Sequence, residues 1–470
     1  MRYKAEKTAI IKKIIVSLQG FMLRPSESQL SQSNLEPMIT FVKYIATILI
    51  FTTSITLSAQ NAADTKDVYK GYSDIVSSNI ENPSLVGDED FNDTVLVSIL
   101  TCAPGSELYS RFGHTALRVK MTRQYIDVVF NYGCFNYNAD NFVLKFLLGQ
   151  TDYLLECENY DNFIRRYESM GQEVKEQVLN LTIAEKNRLI ELLKDNLQPC
   201  NQEYRYVWLY DNCTERARDI VESAIQGKVI YNRKTDPRTV RQMLRDVLSD
   251  SPWVSFGIDM ILGQEIDATP DKRVQMFLPA FYSQEIAEAT IWSGSNQHEM
   301  VKKQRTLLHN ETPQENTPNV LLHPTFIFLA FLVLIIFVSS FEITHAKYFW
   351  GLDVVLHTLQ GLAGLLIAFL YFFSTHPGVD SNWLVVMFNP LWIVYACWIA
   401  RCHKKKKKNV LGVANMIVAA SFLMIMAISQ QSYQMAMYFI VSTFMLRACV
   451  QGHFMCHAQF KHRASSKKGK

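Results

Sequence analysis

The sequence predicts an α+β domain followed by a helical transmembrane bundle. Three segments between residues 93 and 135 have the short apolar or alternating pattern of β-strands. Later segments such as 182–196 repeat apolar residues every three or four positions, which is typical of amphipathic helices. Five long apolar stretches follow residue 320, and each is close to the length that crosses a bilayer.

Residues 1–60 have the layout of an N-terminal extension followed by a secretory signal peptide. From Met38 onward, Lys43 precedes the apolar run 44–57 and a small-residue end. An uncleaved anchor helix is the alternative, and either form exports the domain that follows. Translation beginning at Met38 is a hypothesis that N-terminal sequencing of the mature protein would test. Residues 61–91 are polar and are predicted to form a linker.

The predicted extramembrane domain occupies residues 92–300 and begins with β-structure. Its first three strands are predicted at 93–103, 113–120 and 124–135. The second strand begins at His114, and the short connection to the third strand indicates a hairpin. Because side chains alternate between the two faces of a strand, Asp127 and Asn131 should share one face of the third strand.

Further along, the segment Tyr210–Thr214 leads into a helical pattern over 215–226. Asn212 is a favoured N-cap type, so Cys213 should lie in the first turn of this helix. The partial positive charge of a first turn favours the thiolate that nucleophilic attack requires. Cys213 is therefore the candidate nucleophile, and a buried or disulfide-bonded cysteine is the alternative.

A cysteine nucleophile needs a base that takes its proton and returns it to the leaving group, and a third polar group commonly orients that base. His114 is the candidate base. Asn131 is the first choice for the orienting group, with Asp127 as the second choice. Each has a plain alternative, since most histidines are structural and Asn131 is equally suited to a turn.

These residues carry a resemblance to a known family. The segments concerned are CAPGSELYSRFGHTALRV (102–119), VFNYGCF (129–135), FLLGQTDYLL (146–155) and YRYVWLYDNCTERARDI (204–220). They resemble the N-terminal periplasmic domain of the Lnb lipoprotein N-acyltransferases of Bacteroidota. That domain is similar to the circularly permuted papain-like (NlpC-type) superfamily, which includes lecithin:retinol acyltransferase and in which the His-bearing strand precedes the Asn-Cys-bearing helix. The resemblance is strong over residues 93–300 and looser over the membrane part.

The resemblance implies a permuted papain-like (NlpC/LRAT-type) domain with helical additions, followed by a five-helix transmembrane bundle. It implies acyl transfer with Cys213 as nucleophile and His114 as base, while the third position varies in the superfamily. The acyl donor would be a membrane phospholipid. The acceptor would be the amine of a lipoprotein's N-terminal diacylglyceryl-cysteine, acylated through a thioester in a ping-pong reaction. This chemistry requires no metal or organic cofactor.

The rest of the exported domain is predicted to be structural. Residues 153–171 are expected to form a lid whose aromatic residues, at helical spacing, either pack on the core or line an acyl-binding face. Amphipathic helices are predicted at 182–196 and 235–250, and a linker at 301–322. Five cysteines occur in this domain, and an odd number leaves one unpaired in an oxidising compartment, which suits a reactive Cys213.

The transmembrane domain is predicted at residues 323–452. Its five spans are expected at about 325–342, 351–373, 384–400, 410–429 and 433–450, with Asn389–Pro390 breaking the third. With the preceding domain exported, the basic loop 401–408 and the basic tail 453–470 fall inside, as the positive-inside rule requires. The sequence therefore predicts a bacterial inner-membrane protein with its catalytic domain in the periplasm.

The same topology places the connection 374–382 on the outer side, where it could contact a lipid or lipoprotein substrate. Tentative substrate-binding residues are His376, Asp380 and Asn382 on this connection and Asp127 and Asn212 in the exported domain. A plain connecting turn is the alternative for residues 374–382.

Two other functions stay open. One is a membrane-anchored cell-wall peptidase, although a peptidase would not need five spans, and the other is a non-enzymatic scaffold in which Cys213 is structural. The net charge of +3 is too small to indicate a nucleic-acid partner. Glycosidase-type carboxylate pairs, a phosphate loop and CxxC metal spacing do not occur in the sequence.

Overall fold

The computed structural model describes residues 95–105, 107, 110–135, 141–294, 296–309, 320–405, 409 and 411–467. For residues 455–467 this description covers the helical backbone alone. The predicted N-terminal extension, signal peptide and first linker lie outside the described residues.

The exported domain is built on antiparallel sheet. Its strands are β1 (Val95–Cys102), β2 (His114–Met121), β3 (Ile126–Cys134), β4 (Asp152–Asn159), β5 (Val174–Leu179), β6 (Glu203–Arg205), β7 (Lys228–Ile230), β8 (Thr290–Ser293), β9 (Asn296–Glu299) and β10 (Val301–Leu308). Seven of them form one sheet in the order β10-β5-β1-β2-β3-β4-β6, and β7, β8 and β9 form a second. The three strands predicted from the sequence are confirmed as β1, β2 and β3, and β2 and β3 pair as the expected hairpin.

Helices pack on both faces of the large sheet. In this domain they are α1 (Phe142–Leu148), α2 (Tyr160–Ser169), α3 (Ile183–Leu197), α4 (Cys213–Ala224), α5 (Val240–Val247), α6 (Pro252–Ile261), α7 (Lys272–Gln275) and α8 (Pro279–Ala287). The predicted helix 182–196 is confirmed as α3, which begins at a capping box made by Thr182 and Glu185. The fold is mixed α and β, as predicted.

Side-chain alternation in β2 and β3 divides the core into two layers. Leu117 and Phe130 face a layer shared with Ala217 of α4, whereas Ala116 and Val129 face a layer shared with Phe163 of α2. By the same alternation His114 and Asn131 point to the α2 side. Phe163 is fully buried, so the packing alternative for this aromatic residue is the correct one.

Two sequence predictions in this domain need correction. The segment 153–171, which was expected to form a lid, consists of strand β4 followed by helix α2. Residues 301–308 of the linker predicted at 301–322 form strand β10 instead, which pairs with β5 at the sheet edge. The exposed side chains of β10 are polar or charged, which suits an edge strand and gives it the composition of a linker.

The membrane domain consists of helices. They are α9 (Pro324–Thr344), α10 (Trp350–Phe373), α11 (Leu384–Met387), α12 (Leu391–Lys404), α13 (Gly412–Ile428) and α14 (Met435–Lys467). Within the described residues four helical segments are long and apolar enough to cross a membrane, with α11 and α12 counting as one segment. The prediction was five. The fifth segment is α13, an apolar helix of 17 residues, shorter than the roughly 20 residues of a typical span. The predicted break at Asn389–Pro390 is confirmed, since it separates α11 from α12.

One end of the helix bundle is attached to the exported domain. The Trp253 indole donates to the Leu322 carbonyl just before α9, at 2.8 Å. The Thr375 amide, after α10, donates to the Leu148 carbonyl of α1, at 2.9 Å. The Gln434 side chain, before α14, donates to Asp259 of α6, at 2.7 Å. The three contacts place this end of the bundle beside α1 and α6.

A buried ion-pair network lies inside the bundle and was not predicted. Arg447 of α14 pairs with Glu342 of α9 and with Asp353 of α10, and all three side chains are completely buried. Arg447 also donates to Ser339, at 3.1 Å. An unpaired buried charge is unfavourable, so each charge of this network depends on its partner in another helix. The network therefore links α9, α10 and α14.

Candidate active site

The site begins at the N-terminus of α4, which Asn212 caps. The Asn212 Oδ1 atom accepts from the backbone amides of Thr214, at 2.8 Å, and Glu215, at 3.1 Å. Its Nδ2 atom donates to the carbonyls of Trp208 and Phe277, both at 2.9 Å. The side chain of Asn212 is thereby fixed, and Cys213 follows as the first residue of the helix, as predicted.

Gly133 of β3 lies directly against the nucleophile candidate. A Cβ atom built on Gly133 would lie 3.3 Å from the Cβ of Cys213, and the φ angle of Gly133 is +91°. An L-residue other than glycine rarely adopts that backbone conformation. Glycine at this position therefore lets the strand pass close to Cys213.

His114, the first residue of β2, hydrogen-bonds the thiol of Cys213. The backbone amide of Thr115 donates to the same sulfur. The Thr115 and Thr214 hydroxyls also bond each other, at 3.1 Å, which ties the start of α4 to β2. The two groups that the sequence analysis paired are thus brought into direct contact, although 99 residues separate them.

The contact changes the acidity of both groups. Burial alone would raise the pKa of the Cys213 thiol, but the charge of His114 and the hydrogen bonds from His114, Thr115 and Thr214 outweigh it and lower that pKa. Burial would lower the pKa of His114, yet the Cys213 thiolate and the hydrogen bonds to Cys213 and Asn131 leave it raised. Both shifts favour a thiolate beside an imidazolium.

Asn131 orients the imidazole, and Glu158 orients Asn131. The Oδ1 atom of Asn131 lies 3.2 Å from Nε2 of His114, and its Nδ2 atom donates to Glu158, at 2.8 Å. A carboxylate only accepts, so the amide must turn its oxygen toward His114. That oxygen accepts a hydrogen bond from the Nε2–H group, which leaves Nδ1 as the nitrogen able to take the thiol proton.

Glu158 is held in turn by Arg166 of α2, through an ion pair. Burial raises the pKa of Glu158, and Arg166 and Asn131 oppose that effect. Glu158 and Arg166 were not predicted from the sequence. Glu158 lies in β4, which pairs with the strand that carries Asn131, and no pattern in the sequence indicates that pairing.

Two tyrosines complete the surroundings of the thiol. The hydroxyl of Tyr204 is buried and has no hydrogen-bond partner among the described residues. A Cβ atom on Gly133 would lie 3.9 Å from this hydroxyl and 3.8 Å from the ring of Tyr206. After burial, the charge of Cys213 is the largest influence that raises the pKa of each tyrosine. Both rings therefore lie near the sulfur, and the Tyr204 hydroxyl is an available donor there.

The other cysteines of the exported domain differ from Cys213. None of the five forms a disulfide. Burial raises the pKa of Cys102 and that of Cys157 to about 12, and it also raises the pKa of Cys134. The described residues contain no cluster of three or more His, Cys, Asp or Glu arranged to hold a metal ion.

Of the tentative substrate-binding residues, Asn212 directly precedes Cys213 and caps α4, and three of the others make hydrogen bonds within the protein. Asp127 is paired with Arg118 through two bonds, at 2.7 and 2.6 Å. His376 donates to the Phe146 carbonyl, at 2.7 Å, and Asn382 donates to the carbonyl of Met260, at 2.8 Å. These contacts support the connecting-turn alternative for His376 and Asn382. Asp380 is exposed, and a substrate contact by any of these residues stays a prediction.

Comparisons with known proteins cover both halves of this architecture. The family profile described as the Lnb N-terminal periplasmic domain matches residues 88–246. The profile described as the Lnb transmembrane domain matches residues 315–459. No curated protein and no solved structure gave a match. The two segments together cover more than half of the chain, which therefore belongs to the Lnb family and is a membrane protein with a periplasmic domain.

Proposed function

We propose that this protein is a cysteine-dependent lipoprotein N-acyltransferase of the bacterial inner membrane. Cys213 acts as nucleophile, His114 as base and Asn131 as the group that orients His114. The observation that carries the proposal is the hydrogen-bonded Cys213–His114 pair, in which the pKa of the thiol is lowered despite burial. The family membership supports the lipoprotein substrate.

In the first half-reaction the Cys213 thiolate attacks the carbonyl carbon of a phospholipid acyl ester. A carbon–sulfur bond forms and the carbonyl oxygen becomes an oxyanion. The hydroxyl of Tyr204, which is buried without a partner in the described structure, donates a hydrogen bond to that oxyanion. The ester bond then breaks, His114 gives its proton to the leaving alkoxide, and a lysophospholipid departs.

In the second half-reaction the acceptor is the α-amine of a lipoprotein's diacylglyceryl-cysteine. The amine attacks the thioester, and His114 takes the proton that the nitrogen loses. The carbon–sulfur bond breaks, which releases the triacylated lipoprotein and restores the thiolate. Because both steps use one thiol, the kinetics are ping-pong.

The proposal is tested with protein reconstituted in vesicles that contain isotope-labelled phospholipid and a diacylated lipoprotein. We expect a labelled acyl chain on the lipoprotein N-terminus by mass spectrometry, and we expect Cys213→Ala to abolish it. Cys200→Ala is the matched control, because it removes an exposed thiol from the same domain and should keep the activity.

Two results would overturn the proposal. Undiminished acylation by Cys213→Ala would assign Cys213 a structural role, as in a scaffold. Cleavage of peptidoglycan peptides by the wild type, without lipoprotein acylation, would indicate a peptidase instead.

A further inference from the structure

A row of aromatic rings connects the neighbourhood of Cys213 with helix α1. The ring of Tyr206 stacks on Tyr153, with centroids 4.2 Å apart, and Tyr153 stacks on Phe135, at 4.9 Å. Phe135 stacks on Phe142 of α1, at 5.6 Å, and Phe142 stacks on Phe146, at 6.3 Å. We call these five residues the aromatic row.

The inner end of the aromatic row reaches the reacting atoms. A Cβ atom at Gly133 would lie within 3.8 Å of the Tyr206 ring and within 3.3 Å of Cys213. The charge of Cys213 also acts on the hydroxyls of Tyr206 and Tyr153, raising their pKa values after the larger effect of burial. A chain lying along the row would therefore end at the sulfur.

The outer end of the aromatic row lies on an apolar and exposed helix. In α1 the side chains of Val143, Leu144 and Phe146 are 63%, 49% and 46% exposed. Lys145 is the single charged residue of the helix. Adjacent exposed apolar side chains on a soluble surface commonly mark a membrane or partner contact.

Helix α1 is attached to the end of a membrane-spanning helix. The Thr375 amide and hydroxyl donate to the Leu148 carbonyl, at 2.9 and 3.0 Å, and His376 donates to the Phe146 carbonyl, at 2.7 Å. Thr375 and His376 follow Ser374, which caps the C-terminal end of α10 at Phe373. The exposed apolar face of α1 therefore lies at the level where α10 leaves the membrane.

We propose that α1 lies in the outer leaflet of the membrane and that the aromatic row guides a phospholipid acyl chain from the bilayer to Cys213. An acyl chain that leaves the bilayer needs apolar surface throughout its path, because each methylene exposed to water is unfavourable. Four rings of the row are half-buried or exposed, and the fifth, Tyr153, is 7% exposed and stacks between Tyr206 and Phe135. Its occupant is the acyl chain of a glycerophospholipid, and the inference rests on the proposed function.

The test compares two acyl donors on the full-length protein reconstituted in phosphatidylethanolamine and phosphatidylglycerol vesicles. One donor is the vesicle phospholipid, and the other is water-soluble p-nitrophenyl butyrate, which transfers its butyryl group to a thiol and releases nitrophenolate. The variant carries Val143→Ser, Leu144→Ser and Phe146→Ser. The control is Tyr125→Ser, which changes a residue that is 97% exposed and lies at the other end of β2 from His114.

We expect the triple variant to lose at least about tenfold in the rate of Cys213 acylation by phospholipid. The rate at which p-nitrophenyl butyrate acylates Cys213 in the triple variant should equal the wild-type rate. Tyr125→Ser should have wild-type rates with both donors. An unchanged phospholipid rate, or an equal loss with both donors, would overturn the inference. Failure of wild-type Cys213 to react with either donor would instead overturn the proposed function.

Discussion

Replacing Gly133 by alanine tests whether the close passage of β3 sets the position of the nucleophile. The added Cβ would lie 3.3 Å from the Cβ of Cys213, tighter than ordinary van der Waals contact. Alanine would also have to adopt the φ angle of +91° that Gly133 has. Gly171→Ala is the matched control, since Gly171 has a φ of +63° and no atom within 4 Å of the added Cβ.

Both substitutions place alanine at a positive φ angle, and only Gly133→Ala also adds a close contact with Cys213. A positive φ angle in a non-glycine residue costs about 1–2 kcal/mol, so both variants should unfold at lower temperature than the wild type. Only Gly133→Ala crowds the Cβ atom of Cys213, which must shift by a few tenths of an ångström. Displacement of a reacting group by about 1 Å can cost on the order of 10²-fold in rate, so we expect a smaller loss of up to about tenfold.

The assay measures thermal unfolding and the rate of Cys213 acylation by a soluble ester, on protein purified in detergent. We expect similar destabilisation in both variants and a rate loss in Gly133→Ala alone. A wild-type rate in Gly133→Ala, or an equal rate loss in Gly171→Ala, would refute the reasoning from the geometry of β3.

Three further predictions concern acidity, the oxyanion and the membrane bundle. Burial opposes a low pKa of Cys213, and His114 is the main group that lowers it. Iodoacetamide should therefore alkylate Cys213 at lower pH in the wild type than in His114→Ala. Identical pH profiles of the alkylation rate would contradict this. Tyr204→Phe should slow the acylation of Cys213 by about 10²–10³-fold. The rate of alkylation by iodoacetamide should stay unchanged, because alkylation forms no oxyanion. A wild-type acylation rate would show that Tyr204 does not stabilise the oxyanion. Arg447→Met leaves two buried carboxylates without their cation and should destabilise the protein by about 3–5 kcal/mol, whereas an unchanged unfolding temperature would show that the network adds no stability.

The positions of the candidate base and nucleophile followed from local pattern. Alternation placed His114 at the start of a strand, and the N-cap type at Asn212 placed Cys213 in a first turn; the structure has both. Strand periodicity predicted that Asn131 shares one face of β3 with Asp127, and which face that is came from the structure. These features depend on residues that are neighbours in the sequence, so they can be predicted from one sequence alone.

Other contacts between distant segments, unlike that of His114 with Cys213, were not predicted. Glu158 of β4 accepts a hydrogen bond from Asn131 of the adjacent strand β3, and no local sequence pattern predicts that contact. Strand β10 has the polar composition of a linker and is identified only by its pairing with β5. In the membrane domain, apolar length alone suggested a fifth span at 410–429, where the structure has the 17-residue helix α13.

Mass spectrometry of Cys213, after incubation of the protein with phospholipid vesicles and no lipoprotein, shows whether the thiol takes an acyl chain from phospholipid. We expect an acyl adduct on Cys213 that hydroxylamine removes and that disappears when a diacylated lipoprotein is added. Absence of an adduct on Cys213, in a preparation that still acylates lipoprotein, would contradict this expectation.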